Sequence, residues 1–163
     1  MTNATFLAGV AIGLGLVAGL GVVAARTASR RLAVVTVAGR SMEPTLSDGD
    51  RLLAVRTPRP LRLGDVVVLE APYDSDVTVP WHRPPAGPGE TNRRWIVKRV
   101  AALPGDAVPA AAAGQVPEGE TVRAGRLLVI GDNPAESYDS RQIGYVPAER
   151  IFGLVVRPLR PGR

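Results

Sequence analysis

The sequence predicts a mostly β domain of about 130 residues, preceded by a single membrane-spanning helix. Three observations carry this reading. Phe6–Ala25 runs FLAGVAIGLGLVAGLGVVAA without a charged or strongly polar side chain. After it, short apolar runs alternate with Gly, Pro and Asp punctuation. No stretch past residue 31 holds a 3.6-residue period over three turns. The 18 Gly and 15 Pro, about a fifth of 163 residues, favour turns and short elements over long helices.

The elements follow in order. Twenty helical residues at about 1.5 Å each span about 30 Å, the thickness of a bilayer's hydrocarbon core. A cleaved secretory signal is the rival reading, since Val23-Ala24-Ala25 resembles a small-residue cleavage site. No basic residue precedes the run, however, and it is longer than a typical signal core. Residues 1–31 are therefore read as an uncleaved anchor with a basic flank, and 32–163 as the β-rich domain. Arg26, Arg30 and Arg31 follow the span, and the positive-inside tendency alone would put the domain in the cytoplasm. The pairs Gly9/Gly13 and Gly15/Gly19 have GxxxG spacing, which a Gly- and Ala-rich composition explains.

Strands are expected at Leu32–Ala38, Leu52–Val55, Val66–Leu69, Trp95–Leu103, Leu127–Ile130 and Ile151–Val156. Asp48-Gly49-Asp50, Pro104-Gly105-Asp106 and Gly131-Asp132-Asn133 mark turns between them. Two segments read as loop insertions. Tyr73–Arg93 contains PWHRPPAGPGETN, and Pro109–Arg126 has an Ala/Gly/Pro/Glu composition not expected to pack as core.

Composition excludes several chemistries. Without Cys there is no disulfide, thiolate metal site or thiol nucleophile. With His82 as the single His, multi-His metal sites are excluded. His82 lies in a Pro-rich loop with no apolar alternation to position it, and is read as a surface residue. Its neighbour Trp81 suits either a membrane interface or the cover of a loop. The net charge of +5 is spread along the chain without aromatic interleaving or a recognition motif, which argues against nucleic acid. Anionic lipid head groups are a better partner for it.

Three features bear chemistry. Nineteen of the twenty basic residues are Arg, and the single Lys is Lys98. Period-2 alternation puts Ile96, Lys98 and Val100 on one strand face, so the amine projects between apolar side chains. Desolvation there lowers its pKa, which Arg could not match; a Lys snorkelling to solvent is the equal alternative. Ser41 follows an apolar run and a Gly and precedes a Pro turn. That setting suits an exposed nucleophile with free backbone N–H groups, although most such Ser residues only form turns. Gly131–Gly144 is dense in hydrogen-bonding side chains, either an ordinary polar loop or one braced by an Asp139–Arg141 ion pair.

Four boxes then occur in order: Ser41-Met42-Glu43-Pro44-Thr45-Leu46, Gly64-Asp65-Val66-Val67-Val68, Val97-Lys98-Arg99-Val100 with Pro104-Gly105-Asp106, and Gly131-Asp132-Asn133 with Ser137-Tyr138-Asp139-Ser140-Arg141. With the N-terminal span they cover nearly the whole chain, and they resemble the successive motifs of bacterial type I signal peptidases. The resemblance implies a compact antiparallel β catalytic domain of the signal peptidase and LexA-like type. It also implies a membrane-bound serine endopeptidase that removes leader peptides from exported preproteins. Ser41 then matches the nucleophile, its N–H an oxyanion donor, and Lys98 the general base. Ser137 matches a hydroxyl that orients the Lys amine, and Asp139 and Arg141 a bracing ion pair. Met42 and Pro44 fall where substrate is contacted. No metal or cofactor is implied, preproteins and the lipid bilayer are the expected partners, and the oligomeric state is not indicated.

The chain also departs from the family. Gly39 stands where some members place a Ser that supports the oxyanion, and Ala102 replaces a Gly before the Pro-Gly-Asp turn. The chain is too short for the large inserted cap of the longest members. The family's catalytic domain lies outside the cytoplasm, against the arginine count. Alternatives are a dedicated maturation protease for one precursor, LexA-like self-cleavage, and an inactive membrane-tethered binding domain.

Overall fold

Runs of Val, Leu and Ile bounded by Gly, Pro and Asp favour strands, because branched side chains pack on a pleated surface and the turn residues stop them. The computed structural model describes residues 32–56, 59–72, 80–87, 90 and 93–159. All six expected runs are strands: β1 (Leu32–Thr36), β2 (Arg51–Val55), β3 (Val66–Glu70), β4 (Trp95–Ala102), β5 (Arg126–Ile130) and, last in the chain, β7 (Ile151–Leu159). Besides three single-turn 3-10 helices (Ala110–Ala112, Pro134–Glu136 and Ala148–Arg150), two short elements escaped the sequence reading. They are the two-residue strand β6 (Val146–Pro147) and the four-residue helix α1 (Ser140–Ile143) within the polar loop. The proposed anchor at 1–31 lies outside the described residues, and no described helix is long and apolar enough to cross a membrane.

The strands form a 7-stranded sheet in the order β1-β2-β7-β3-β4-β5-β6. Pairing is antiparallel for β2–β7, β7–β3, β3–β4, β4–β5 and β5–β6. Strand β3 lies centrally, and its unbroken VVVLE run reflects burial on both faces. Val68 joins Leu52, Ala54 and Val97 in one apolar cluster, while Val67 and Leu69 join Val100, Leu127 and Val129 in another. Strand β4 sits between β3 and β5, with Val67 opposite Lys98 and Ile130 opposite Arg99. Lys98 is therefore on an interior strand of the sheet.

One expectation is overturned. The Pro109–Arg126 segment is irregular, but it builds a third core. Ala112, Val116 and Val122 are buried there with Ala102, Val108 and Leu128. Its ends pair through Val108 N–H to the Glu120 carbonyl and Val122 N–H to the Asp106 carbonyl, both 2.9 Å. Alanines with little bulk let this excursion approach closely, and two valines suffice to fill it. In the other loop, His82 is exposed as expected. Trp81 covers the second cluster and donates its indole N–H to the Tyr145 carbonyl at 3.1 Å, as the loop-cover reading expects.

Because the third cluster is core, Val122→Ala should lower the unfolding free energy by about 1–3 kcal/mol in urea titration. A change within about 0.5 kcal/mol, as expected of a surface loop, would contradict this packing.

Candidate active site

Ser41 sits in a turn that the sequence holds at both ends. Val37 N–H donates to the Asp50 carbonyl at 2.8 Å, and Gly49 N–H returns to the Val37 carbonyl at 3.0 Å. Asp48 accepts from Gly39 N–H at 2.7 Å, and Asp50 accepts from Ser47 N–H at 2.9 Å. Gly39 takes φ +88°, a conformation open to glycine at little strain. Below the turn, Met42 and Leu46 are buried in the first apolar cluster. Ser41 is thereby fixed between a glycine bend and an anchored methionine.

Lys98 reaches it from β4. Its Nζ lies 2.7 Å from Ser41 Oγ and donates to it. The lysine is only 4% exposed, so the snorkelling alternative is excluded. Both residues line an open cleft of about 220 Å³ with Ala38, Gly39, Ile96 and Tyr138. Among the described residues, Ser41 N–H donates to no acceptor. No described group of His, Asp and Glu could hold a metal ion.

The polar loop after β5 braces this pair. Asn133 N–H donates to the Ser41 carbonyl at 3.0 Å. Asp139 is fully buried and caps α1, with Gln142 closing a capping box. Its Oδ2 accepts from Gly131 N–H at 2.8 Å, Ser137 Oγ at 2.6 Å and Arg141 Nη2 at 2.6 Å. Arg141 Nε binds Oδ1 at 2.9 Å. A Cβ on Gly131 would run into the Ser137 side chain and the Ser41 carbonyl, so only glycine fits there.

Three expectations change. The Ser137 hydroxyl donates to the buried Asp139 carboxylate, and the Lys98 amine donates to Ser41 rather than to Ser137. Met42 is 0% exposed and belongs to the core, so it does not reach the cleft. Pro44 is exposed and does not line the cleft either.

Sequence reasoning missed Asp132 and Arg99. Arg99 grips Asp132 with both ends of its guanidinium, at 2.7 and 2.6 Å, and donates to the Gly64 carbonyl at 2.8 Å. Arg99, the residue after Lys98, thus holds the loop at Asp132, whose next residue, Asn133, donates to the Ser41 carbonyl. The Gly-Asp-Asn triplet looked like a plain turn; the signal was an Arg directly after the single Lys.

These contacts set the charge balance. Burial pushes the Lys98 amine below its ordinary pKa; Asp139 pulls it back up, Arg141 pushes it further down, and Asp132 pulls it up. Burial raises the Asp139 carboxyl, but hydrogen bonds from Arg141, Ser137 and the Gly131 and Arg141 N–H groups outweigh that and leave it low. Asp132 is held low chiefly by its bond from Arg99.

Residues 10–117 and 110–159 match the family described as signal peptidase, peptidase S26. The mitochondrial inner membrane protease subunit 1 of Schizosaccharomyces pombe is 29% identical over 136 residues, covering 78% of this chain and 73% of that protein. Signal peptidase I of Leptolyngbya laminosa is 30% identical over 141 residues, covering 74% of this chain and 64% of that protein. The mitochondrial inner membrane protease subunit 1 of Mus musculus is 30% identical over 132 residues, covering 78% and 69%. With a β scaffold and an open cleft, these matches define the class as a peptidase. More particularly, the chain belongs to the signal peptidase family, peptidase S26.

Because burial lowers the Lys98 pKa, the unfolded chain holds this proton more readily than the folded one. Stability therefore rises with pH between the lowered folded value and the ordinary 10.5. Lys98→Met should raise the Tm at neutral pH, by a margin that shrinks as pH approaches 10.5. Thermal melts across this range check it, and a pH-independent difference would contradict it.

Proposed function

We propose that this peptidase removes N-terminal leader peptides from exported preproteins with Ser41 as nucleophile and Lys98 as general base. The observation that carries the proposal is the 2.7 Å contact between Ser41 Oγ and a buried Lys98 Nζ. Once the amine is neutral, the same separation carries the reverse bond, with Ser41 O–H donating to Lys98 Nζ. Ser41 Oγ then attacks the scissile carbonyl while Lys98 takes the proton and passes it to the leaving amine. The unengaged Ser41 N–H stabilises the oxyanion. Gly39 N–H is committed to Asp48 and does not join it. Ser137 and Arg141 occupy the Asp139 carboxylate, whose charge would otherwise favour the ammonium, and so keep Lys98 available as a base. The intact pair disfavours the inactive binding-domain reading.

The domain division also stands as part of the proposal: 1–31 an anchor with its span at 6–25, and 32–163 the peptidase domain. An anchor confines enzyme and precursor to one surface and raises their effective concentration. The names of the relatives, inner membrane protease and signal peptidase I, are consistent with that arrangement. Leader cleavage calls for a domain on the side where translocated precursors emerge, against the tendency set by Arg26, Arg30 and Arg31. An extended substrate pairs its backbone along the cleft, with small side chains before the cut.

Cleavage of a leader-spanning peptide should rise from about pH 6 to pH 10 as Lys98 deprotonates. Ser41→Ala and Lys98→Arg should each fold and lose activity on the order of 10⁴-fold or more. Lys98→Arg keeps the charge and removes only the capacity to act as a base, so retained activity would reject the assignment.

A further inference from the structure

A second charged cluster lies at the end of β3, one residue before the cleft wall. Glu70 is 4% exposed and Arg150 5% exposed. Glu70 Oε1 accepts from Arg93 Nη1 at 2.9 Å, and Oε2 accepts from Arg150 Nη1 at 3.0 Å and Ala86 N–H at 3.2 Å. Arg150 also donates to the carbonyls of Trp81 at 3.3 Å, Pro84 at 3.2 Å and Arg83. The Trp81 ring lies 5.4 Å from the Arg150 guanidinium. A buried guanidinium is thus wrapped by the backbone of the Trp81–Ala86 segment.

The cluster is an uneconomical way to gain stability, since apolar residues of similar volume stabilise an interior equally well or better. What it does is fix one backbone path. Trp81 has φ +59°, a conformation that residues with a side chain avoid and that surrounding contacts must hold. Its N–H donates to the Pro72 carbonyl at 3.0 Å. Ala71 and Pro72 line the same cleft as Ser41 and Lys98.

We propose that Arg150 is a positioning residue for the substrate cleft. From the Glu70–Arg150–Arg93 cluster it pins Trp81, Trp81 fixes Ala71–Pro72, and that wall limits the side-chain size the cleft accepts. The proposal rests on the peptidase reading above. Arg150 touches no reacting atom, so the proton transfer at Lys98 is untouched.

The test compares wild type, Arg150→Lys and Trp81→Phe on two leader-spanning peptides that carry Ala or Leu immediately before the cut. Val122→Ala, which does not line the cleft, is the destabilised control. Wild type should prefer Ala. Arg150→Lys should raise KM for the Ala peptide about tenfold with kcat nearly unchanged, and shrink the Ala preference in kcat/KM by about tenfold. The pH midpoint of kcat should not move. An unchanged preference in Arg150→Lys, with only a lower Tm as in Val122→Ala, would overturn the proposal. If Arg150→Lys does not fold, Trp81→Phe, which loses the bond to Tyr145, carries the same comparison. Should wild type cleave neither peptide, the leader-peptide reading fails and this proposal with it; cleavage with unaltered preference in the variants sinks this proposal alone.

Discussion

A lysine amine is held out of water here, against Ser41, and the rest of the site follows from that constraint. Lys98 is held on an interior strand, with β3 on one side and β5 on the other. Its amine meets the Ser41 hydroxyl in place of solvent. Two carboxylates, Asp139 and Asp132, lie close enough to favour the ammonium. Each is already gripped by its own arginine, Arg141 or Arg99, at distances of 2.6–2.9 Å. Pairing the acids elsewhere blunts their pull on the amine and leaves desolvation as the largest influence. The arginines thus act on Lys98 by occupying its would-be partners.

The same pairs deliver geometry. Asp139 gathers the β5 end, the Ser137 hydroxyl and the start of α1 onto one carboxylate, while Asp132 ties the loop after β5 to Arg99 on β4. Gly131 lets these layers touch, since a side chain there would collide with the Ser41 carbonyl. Asn133 N–H then grips that carbonyl. Ser41 is therefore located by its backbone from two directions, with its hydroxyl left for the lysine. Such polar networks specify a single arrangement when every member is satisfied.

The strands and the face that carries Lys98 were legible because both rest on local rules, whereas burial of its amine was decided only by the assembled sheet. Period-2 alternation around Ile96, Lys98 and Val100 needs only that β4 be a strand. The content of Pro109–Arg126 was not legible, because small residues become core only when a partner surface, here Leu128 and Ala102, comes to meet them. Met42 was misplaced for a related reason. Its position next to Ser41 pointed to substrate, whereas alternation through a tight turn sends adjacent side chains opposite ways. Ser137 and Asp132 show a further limit. Which acceptor a hydroxyl or guanidinium takes depends on burial of the carboxylate, a property of the assembled loop. Glu70, Arg93 and Arg150 lie far apart in sequence and carried no local signal at all.

Lys98 being the only lysine allows a direct test of the claim that its amine is kept from water. In protein labelled with ¹⁵N at lysine Nζ, a single side-chain resonance reports its titration. The account expects a midpoint clearly below the ordinary 10.5, moving back toward it when the chain is denatured. A midpoint at or above 10.5 in the folded protein would mean that the acids hold the ammonium charged, and the general-base account would be wrong.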